Sequence, residues 1–408
     1  MTTALRRLDR PAAPVAVIVP LVVAFVVLRW WDAAQRRLGN FVLAGSRYAS
    51  AARVPRGLPV RIGNGYDGQF YYRLALDPFN LSRAAYGIRL DSMSRIERIG
   101  YPFLAWALAG GHHGAVPLTM VVVNVVATGV MALAGGLLAT SAGRHALWGL
   151  VFPLYWGYLW TLGRDLSELT TAALVILAVA ALVRRHPVWA GLAFLGAVLC
   201  KETAVLLVAT LALTSLWLRW SGRAAGTLRP AEPAHQAQGA LRVQTVQALM
   251  PQRSDLSWAI PLAGFALWEL VLLLGTGKLP IFESGGQNLG PPLVGLYHGF
   301  DHYLSIFPSV ASVLWLGELT VIVILIVATA RLRAPAPLEL QVIWAVSVVL
   351  GACAATGIWL GDVGFRSLDD IYLFSWVVLL FHRGRLTPGL VLCGGVWCVV
   401  FVELARYI

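Results

Sequence analysis

The sequence predicts an all-α polytopic membrane protein, a bundle of about eleven transmembrane helices with a long first extracytoplasmic loop that carries short helices. Three observations lead there. Of 408 residues, 58% are hydrophobic and only 13% are charged, about half the charged share of a soluble domain. Apolar stretches close to the roughly 20 residues that cross a bilayer recur from end to end. Between them, arginine gathers in the short connectors of one side. A core set by the bilayer makes length a poor guide to domain number, and 1–408 reads as a single membrane domain.

The first span, 14–31, follows Arg6, Arg7 and Arg10. No small-residue cleavage site comes after it, so an uncleaved helix is expected rather than a signal peptide. Further spans are expected at 115–139, 146–161, 169–183, 188–200, 203–220, 257–276, 304–330, 338–360, 368–381 and 386–404, with a short hairpin meeting at Lys201. Arginine in short connectors sets orientation. With the N-terminus cytoplasmic, Arg144, Arg184, Arg185, Arg331, Arg333, Arg383 and Arg385 lie inside, and the short outer connectors hold Arg164, Lys201, Lys278 and Arg366. The arginine-rich first loop, 32–100, is the exception, but loops of that length translocate largely regardless of charge. The stretch 221–255, rich in Ala, Gly, Gln and Pro, reads as a flexible cytoplasmic linker. Cys200, Cys353, Cys393 and Cys398 lie in or beside apolar segments without metal-ligand spacing, and are expected to be membrane-packed thiols. The net charge of +12 is almost all arginine flanking the spans. Membrane lipids and phosphates are therefore the expected partners, and nucleic acid is not.

On this orientation the acids collect on the outer face, and the chemistry with them. Asp67 sits in Asn64-Gly65-Tyr66-Asp67-Gly68-Gln69-Phe70-Tyr71-Tyr72-Arg73 and opens a short helix, Gly68 to Leu76. One reading is a plain N-cap, since Asp accepts from backbone N–H groups two or three residues on. The other is a general base, a carboxylate at an aromatic-lined interface where glycines let a substrate approach. Ser94-Arg95-Ile96-Glu97 has capping-box spacing before the run from Tyr101. Arg95 and Arg98 oppose the helix dipole there unless an anion joins them, which makes them phosphate-binding candidates. Arg164-Asp165-Leu166-Ser167-Glu168 places two acids at i, i+3. Lys201-Glu202 interrupts a very apolar stretch, as a surface turn or as functional groups at membrane depth. Arg366 could meet phosphate or Asp369, beside Asp370, in the last outer loop. His298 and His302 are at i, i+4 without a matching carboxylate motif, and read as interfacial residues rather than a metal site.

Taken together, Tyr66-Asp67-Gly68-Gln69-Phe70-Tyr71-Tyr72, the Arg95–Arg98 run into Tyr101-Pro102, the short Arg164–Glu168 loop and Lys201-Glu202-Thr203 resemble the GT-C superfamily of integral-membrane glycosyltransferases, in particular bacterial mannosyltransferase-like members. The resemblance implies an inverting glycosyltransferase. It would move a sugar from a polyprenyl-phosphate donor to a lipid, glycan or protein acceptor on the extracytoplasmic face of the plasma membrane. It makes Asp67 the catalytic acid of the first outer loop and puts Arg95, Arg98, Lys201 and Arg366 on the donor phosphate. Tyr66, Gln69, Tyr71, Tyr72, Asp165, Glu168, Glu202, Asp369 and Asp370 would line the substrate. The paired Asp-x-Asp or Glu-x-Asp of some members is missing here, so no cofactor is expected and a divalent metal is not indicated. The large soluble C-terminal domain of some members is not expected either. The alternative is a transporter or flippase of a lipid-linked intermediate, which should carry mid-span ionisable residues in broken helices of repeated halves. Here Glu269 and Glu318 are the candidates for mid-span acids and no repeat is evident, which favours the enzyme; a non-catalytic scaffold would leave the basic, aromatic first loop unexplained.

Overall fold

The computed structural model describes residues 9–221, 252–280, 288–332, 334–361 and 363–406; most of the expected 221–255 linker lies outside them. Among the described residues the strands are two pairs of two residues each, and the rest of the regular structure is helical. Among the described residues, five helices of 18 or more residues are long and apolar enough to cross a membrane. They are α1 (Ala13–Trp31), α5 (Val116–Ser141), α10 (Leu256–Thr276), α12 (Val310–Arg331) and α16 (Thr387–Arg406). Shorter apolar helices stand among them: α7 (Glu168–Val183), α8 (Pro187–Cys200), α9 (Ala204–Trp220) and α13 (Leu338–Ala352).

Several expected spans take a different form. The stretch 146–161 is a 3-10 segment, Ala146–Val151, followed by α6, Gly157–Leu162. Pro153 lies between them, and a proline inside a helix removes a donor and clashes with the preceding turn. The stretch 338–360 breaks after α13 and resumes as α14, Thr356–Gly361. At the break, Gly290 N donates to Cys353 O at 2.8 Å and Ala355 N to Asn288 O at 3.0 Å, so these backbone groups are satisfied outside any helix. The stretch 304–330 starts only at Val310, where Ser309 caps the helix by accepting from Ser312 N at 3.2 Å. Residues 368–381 form α15, Asp369–Leu380, of 12 residues. At 1.5 Å per residue that is about 18 Å, too short to cross a bilayer. Ile371 to Leu380 are all buried, so α15 is enclosed by protein instead.

The main core follows from uniformly apolar helices packing on one another. α5 packs on α1 and α7, α7 on α8, α8 on α10, and α15 on α12 and α13. Helices apolar all round are what a bilayer or a protein core selects.

The first loop is a folded cap rather than an open connector. Its own apolar cluster joins Val42, Phe70, Leu74, Ile88 and Leu90 to Tyr101, Met120 and Leu166. α2 (Gly39–Val42), α3 (Gly68–Leu76) and α4 (Gly100–Leu108) frame it. β1 (Ala44–Gly45) pairs parallel with β2 (Val60–Arg61), and β3 (Ala84–Ala85) pairs antiparallel with β4 (Ile88–Arg89). The β3–β4 turn is Tyr86-Gly87, both at positive φ (51° and 74°), as a tight type I′ hairpin requires. A buried polar network fixes the cap to the bundle: Tyr101 donates to Met120 O at 3.1 Å, and Asn124 Nδ2 donates to the Tyr101 hydroxyl and to Leu166 O, both at 3.1 Å.

Candidate active site

Asp67 holds the N-cap position of α3, yet its side chain makes no cap hydrogen bond. Each carboxylate oxygen goes to an arginine instead. Arg95 Nη2 meets Oδ1 at 2.9 Å, and Arg366 Nη2 meets Oδ2 at 3.3 Å. The simple capping reading therefore fails. Burial opposes ionisation of Asp67, but Arg95, Arg366 and Arg98 outweigh it and hold the carboxyl well below the usual carboxylate range.

Each arginine is held in turn. Arg95 also forks onto Asp91, with Nε to Oδ1 and Nη2 to Oδ2 at 2.9 Å each. Arg366 reaches Glu168 Oε1 at 2.7 Å, while Glu168 Oε2 is buried without a hydrogen-bond partner. The Tyr66 ring lies under both Arg164 and Arg366, at 4.3 and 5.1 Å from ring centroid to guanidinium carbon. Arg95 lies 5.0 Å from the centre of the Phe70 ring. Such cation–π contacts fix guanidinium planes and leave their edges for hydrogen bonding.

The capping box expected at Ser94 and Glu97 does not form. Met93–Glu97 is a 3-10 turn capped by Ser92, which accepts from Ser94 N at 3.2 Å. This turn aims Arg95 at Asp67 and Arg98 at Glu202. Arg98 grips Glu202 through two hydrogen bonds of 2.6 Å and donates to the Tyr71 hydroxyl at 3.2 Å, which also accepts from Ser167. Burial disfavours both charges, but the bidentate contact prevails, keeping Arg98 protonated and pulling the Glu202 carboxyl down.

Lys201 and Glu202, adjacent at the α8–α9 junction, do not pair as a surface turn. Lys201 Nζ lies 3.9 Å from Asp369 Oδ1. Burial works against the Lys201 charge, but Asp369, Glu168 and Asp370 together hold its pKa above the ordinary value. Asp369 also accepts from the Tyr158 hydroxyl at 3.3 Å. Both aspartates sit in the first turn of α15, where the helix dipole favours negative charge. Arg366, a candidate partner of Asp369 in the sequence, pairs with Asp67 and Glu168.

Three expected substrate-lining residues lie elsewhere. Gln69 is 1% exposed and ties the cap together, accepting from Gly45 N at 3.0 Å and donating to Asn64 O at 2.9 Å. Tyr72 is buried on another side of α3, in the wall of a cavity with Arg37 and Arg56. Asp165 does not share a face with Glu168: it takes a left-handed conformation (φ 51°), is fully buried, and neither carboxylate oxygen has a hydrogen-bond partner. Burial pushes its carboxyl well up, against the pull of Arg29.

Asp91 and Ser167 were not singled out in the sequence. Asp91 had a signal, its i, i+4 spacing to Arg95. Ser167 had none, because its partner Tyr71 is remote in sequence. His298 meets Thr356 Oγ1 at 3.0 Å. The residues around Asp67 do not suit a divalent cation, since both carboxylate oxygens already face guanidinium groups.

No family model matches the chain, and no curated protein matches it. Among solved structures it is similar to the apo form of the Archaeoglobus fulgidus oligosaccharyltransferase, with a TM-score of 0.45 and 11% identity. That alignment covers 95% of this chain but 56% of the other, so the chain spans little more than half that enzyme's length.

Proposed function

We propose that this protein is an inverting glycosyltransferase that takes a sugar from a polyprenyl-phosphate donor to a lipid, glycan or protein acceptor on the extracytoplasmic face. The observation that carries the reading is the tether on Asp67. A carboxylate that makes no cap hydrogen bond to its own helix and is shared by Arg95 and Arg366 is organised for something other than capping. The cluster around it alternates charge from Asp91 to Arg95, Asp67, Arg366 and Glu168. Such a chain can accept one more anion by re-pairing.

In the proposed reaction the acceptor hydroxyl oxygen attacks the anomeric carbon, and the bond from that carbon to the phosphate oxygen breaks. The electron pair leaves with the polyprenyl phosphate, and the hydroxyl proton goes to Asp67. Arg95 and Arg366 serve both ends. Paired to Asp67 they keep it a weak base. When the donor phosphate draws their charge, the carboxylate regains basicity where the hydroxyl must be deprotonated. Lys201, at the looser distance of 3.9 Å from its partner, is the second candidate for the leaving phosphate. Arg98, gripped by Glu202, serves as a brace instead.

The test is Asp67→Asn. Asn keeps the shape but takes no proton, and general-base loss costs about 10²–10⁴ in rate. Transfer from a labelled polyprenyl-phosphate sugar should fall by that order in the purified, folded variant, with some loss of thermal stability because Arg95 and Arg366 lose a carboxylate. Transfer at the wild-type rate would remove Asp67 from the chemistry and the proposal with it.

A further inference from the structure

On another side of α3 from Asp67 lies a cavity of about 700 Å³, within the roughly 300–1,000 Å³ range of small-molecule sites. Arg37, Arg56, His113, Tyr72 and Pro117 line it, and no acid does. Arg37 and Arg56 are exposed and make no ion pair among the described residues. His113 packs edge-on to the Tyr86 ring at 5.1 Å, and the Tyr86 hydroxyl donates to Asp77. Tyr72 is 2% exposed. A phenol in a wall shared with two guanidinium groups that make no ion pair is a donor set suited to an anion.

The position says which kind. Arg37 follows shortly after α1 ends at Trp31, and Pro117 lies in the first turn of α5, so membrane-length helices flank the cavity at one end. Arg36 stacks on Trp31 at 3.7 Å, a pairing suited to headgroup depth, where Trp is enriched.

We propose that this cavity binds the phosphate-bearing headgroup of an anionic lipid, with Arg37 and Arg56 on the phosphate and the Tyr72 hydroxyl as a third donor. The site is separate from the Asp67 cluster and does not rest on the glycosyltransferase reading.

The full-length protein in nanodiscs of mixed phosphatidylglycerol and phosphatidylcholine is released for native mass spectrometry. Wild type should retain phosphatidylglycerol over phosphatidylcholine. Losing one charge-assisted hydrogen bond weakens binding roughly tenfold or more. Retention should therefore fall by at least that in the Arg37→Ala/Arg56→Ala double variant and by less in Tyr72→Phe. It should stay at the wild-type level in Arg89→Ala, an exposed arginine outside the cavity. The Arg37→Lys/Arg56→Lys variant should recover part of the loss, which separates lost charge from lost fold. Equal retention in wild type and the double alanine variant, or no preference between the two lipids, overturns the site. Binding of radiolabelled inorganic phosphate that competes with the lipid and is lost in the same variant assigns the cavity to free anion and overturns the lipid assignment.

Discussion

Arg98 and Glu202 are the residues whose roles the structure changes most. The sequence offers Arg98 as a phosphate ligand; in the fold it is 13% exposed and its fork is filled by a carboxylate that is 9% exposed. Removing one partner of a buried pair leaves the other charge stranded, at about 3–5 kcal/mol. Arg98→Ala should therefore lower thermal stability sharply, and Arg98→Ala/Glu202→Leu should recover much of the loss. Additive losses in that double variant, read from melting curves, would show that the two groups are not coupled. Asp165 makes a pH prediction. Its folded pKa is raised above the unfolded value of about 3.9. Its favourable contribution is then complete below that pH and is lost as pH rises through the folded value. Asn tolerates the left-handed backbone well and carries no charge. The stability of Asp165→Asn relative to wild type should grow with pH across that window; a gap that stays flat would mean Asp165 is already ionised without cost. Asp67 was legible because aromatics and glycines crowd around it. Gln69 and Tyr72 were misplaced because neighbours in a motif need not share a face: each helical step turns about 100°.

At the scale of elements, α3 is seated by a bare backbone contact. A Cβ added at Gly68 would lie 2.3 Å from Arg164 O and 2.9 Å from Val42 O. Both are main-chain atoms with no rotamer to yield. Gly68→Ala should move α3 and with it Asp67, costing about 1–3 kcal/mol as an overpacked site does. Both melting temperature and transfer should fall. A Gly68→Ala variant with unchanged melting temperature would show that the helix has slack at this seam. α3 itself was readable in the sequence from Gly68 to Asp77-Pro78, as were α1, α7, α8 and α9. The broken spans were not, because apolar content alone does not report where Pro153 interrupts a helix, or where residues 288–290 take over the backbone hydrogen bonds at 353–355.

At the scale of the molecule, the proposed topology puts the cap and the opposite end of α5 in different compartments. α5 has 26 residues, about 39 Å of helix, enough to cross the bilayer. In a cysteine-free background, an impermeant thiol reagent on intact cells should label Ser50→Cys in the cap and leave Ser141→Cys protected. The reverse pattern would put the cap in the cytoplasm and remove the proposed extracytoplasmic donor. The cap's location in the chain was readable, since it is the long polar interval after the first span. Its contacts with the far end of the chain were not, because no local rule joins Asp67 to a residue 299 positions away.

That distance also sets a timetable. Arg95 follows Asp67 by 28 positions and Arg366 by 299. At about 5–20 residues per second, the ribosome supplies Arg366 roughly 15–60 s after Asp67. For most of that interval Arg95 is available to Asp67, but the second arginine and the α15 acids do not yet exist. Chains that end before Arg366 lack one of the two arginines of Asp67. The proposed catalyst is completed only when Arg366 and the α15 acids have been made.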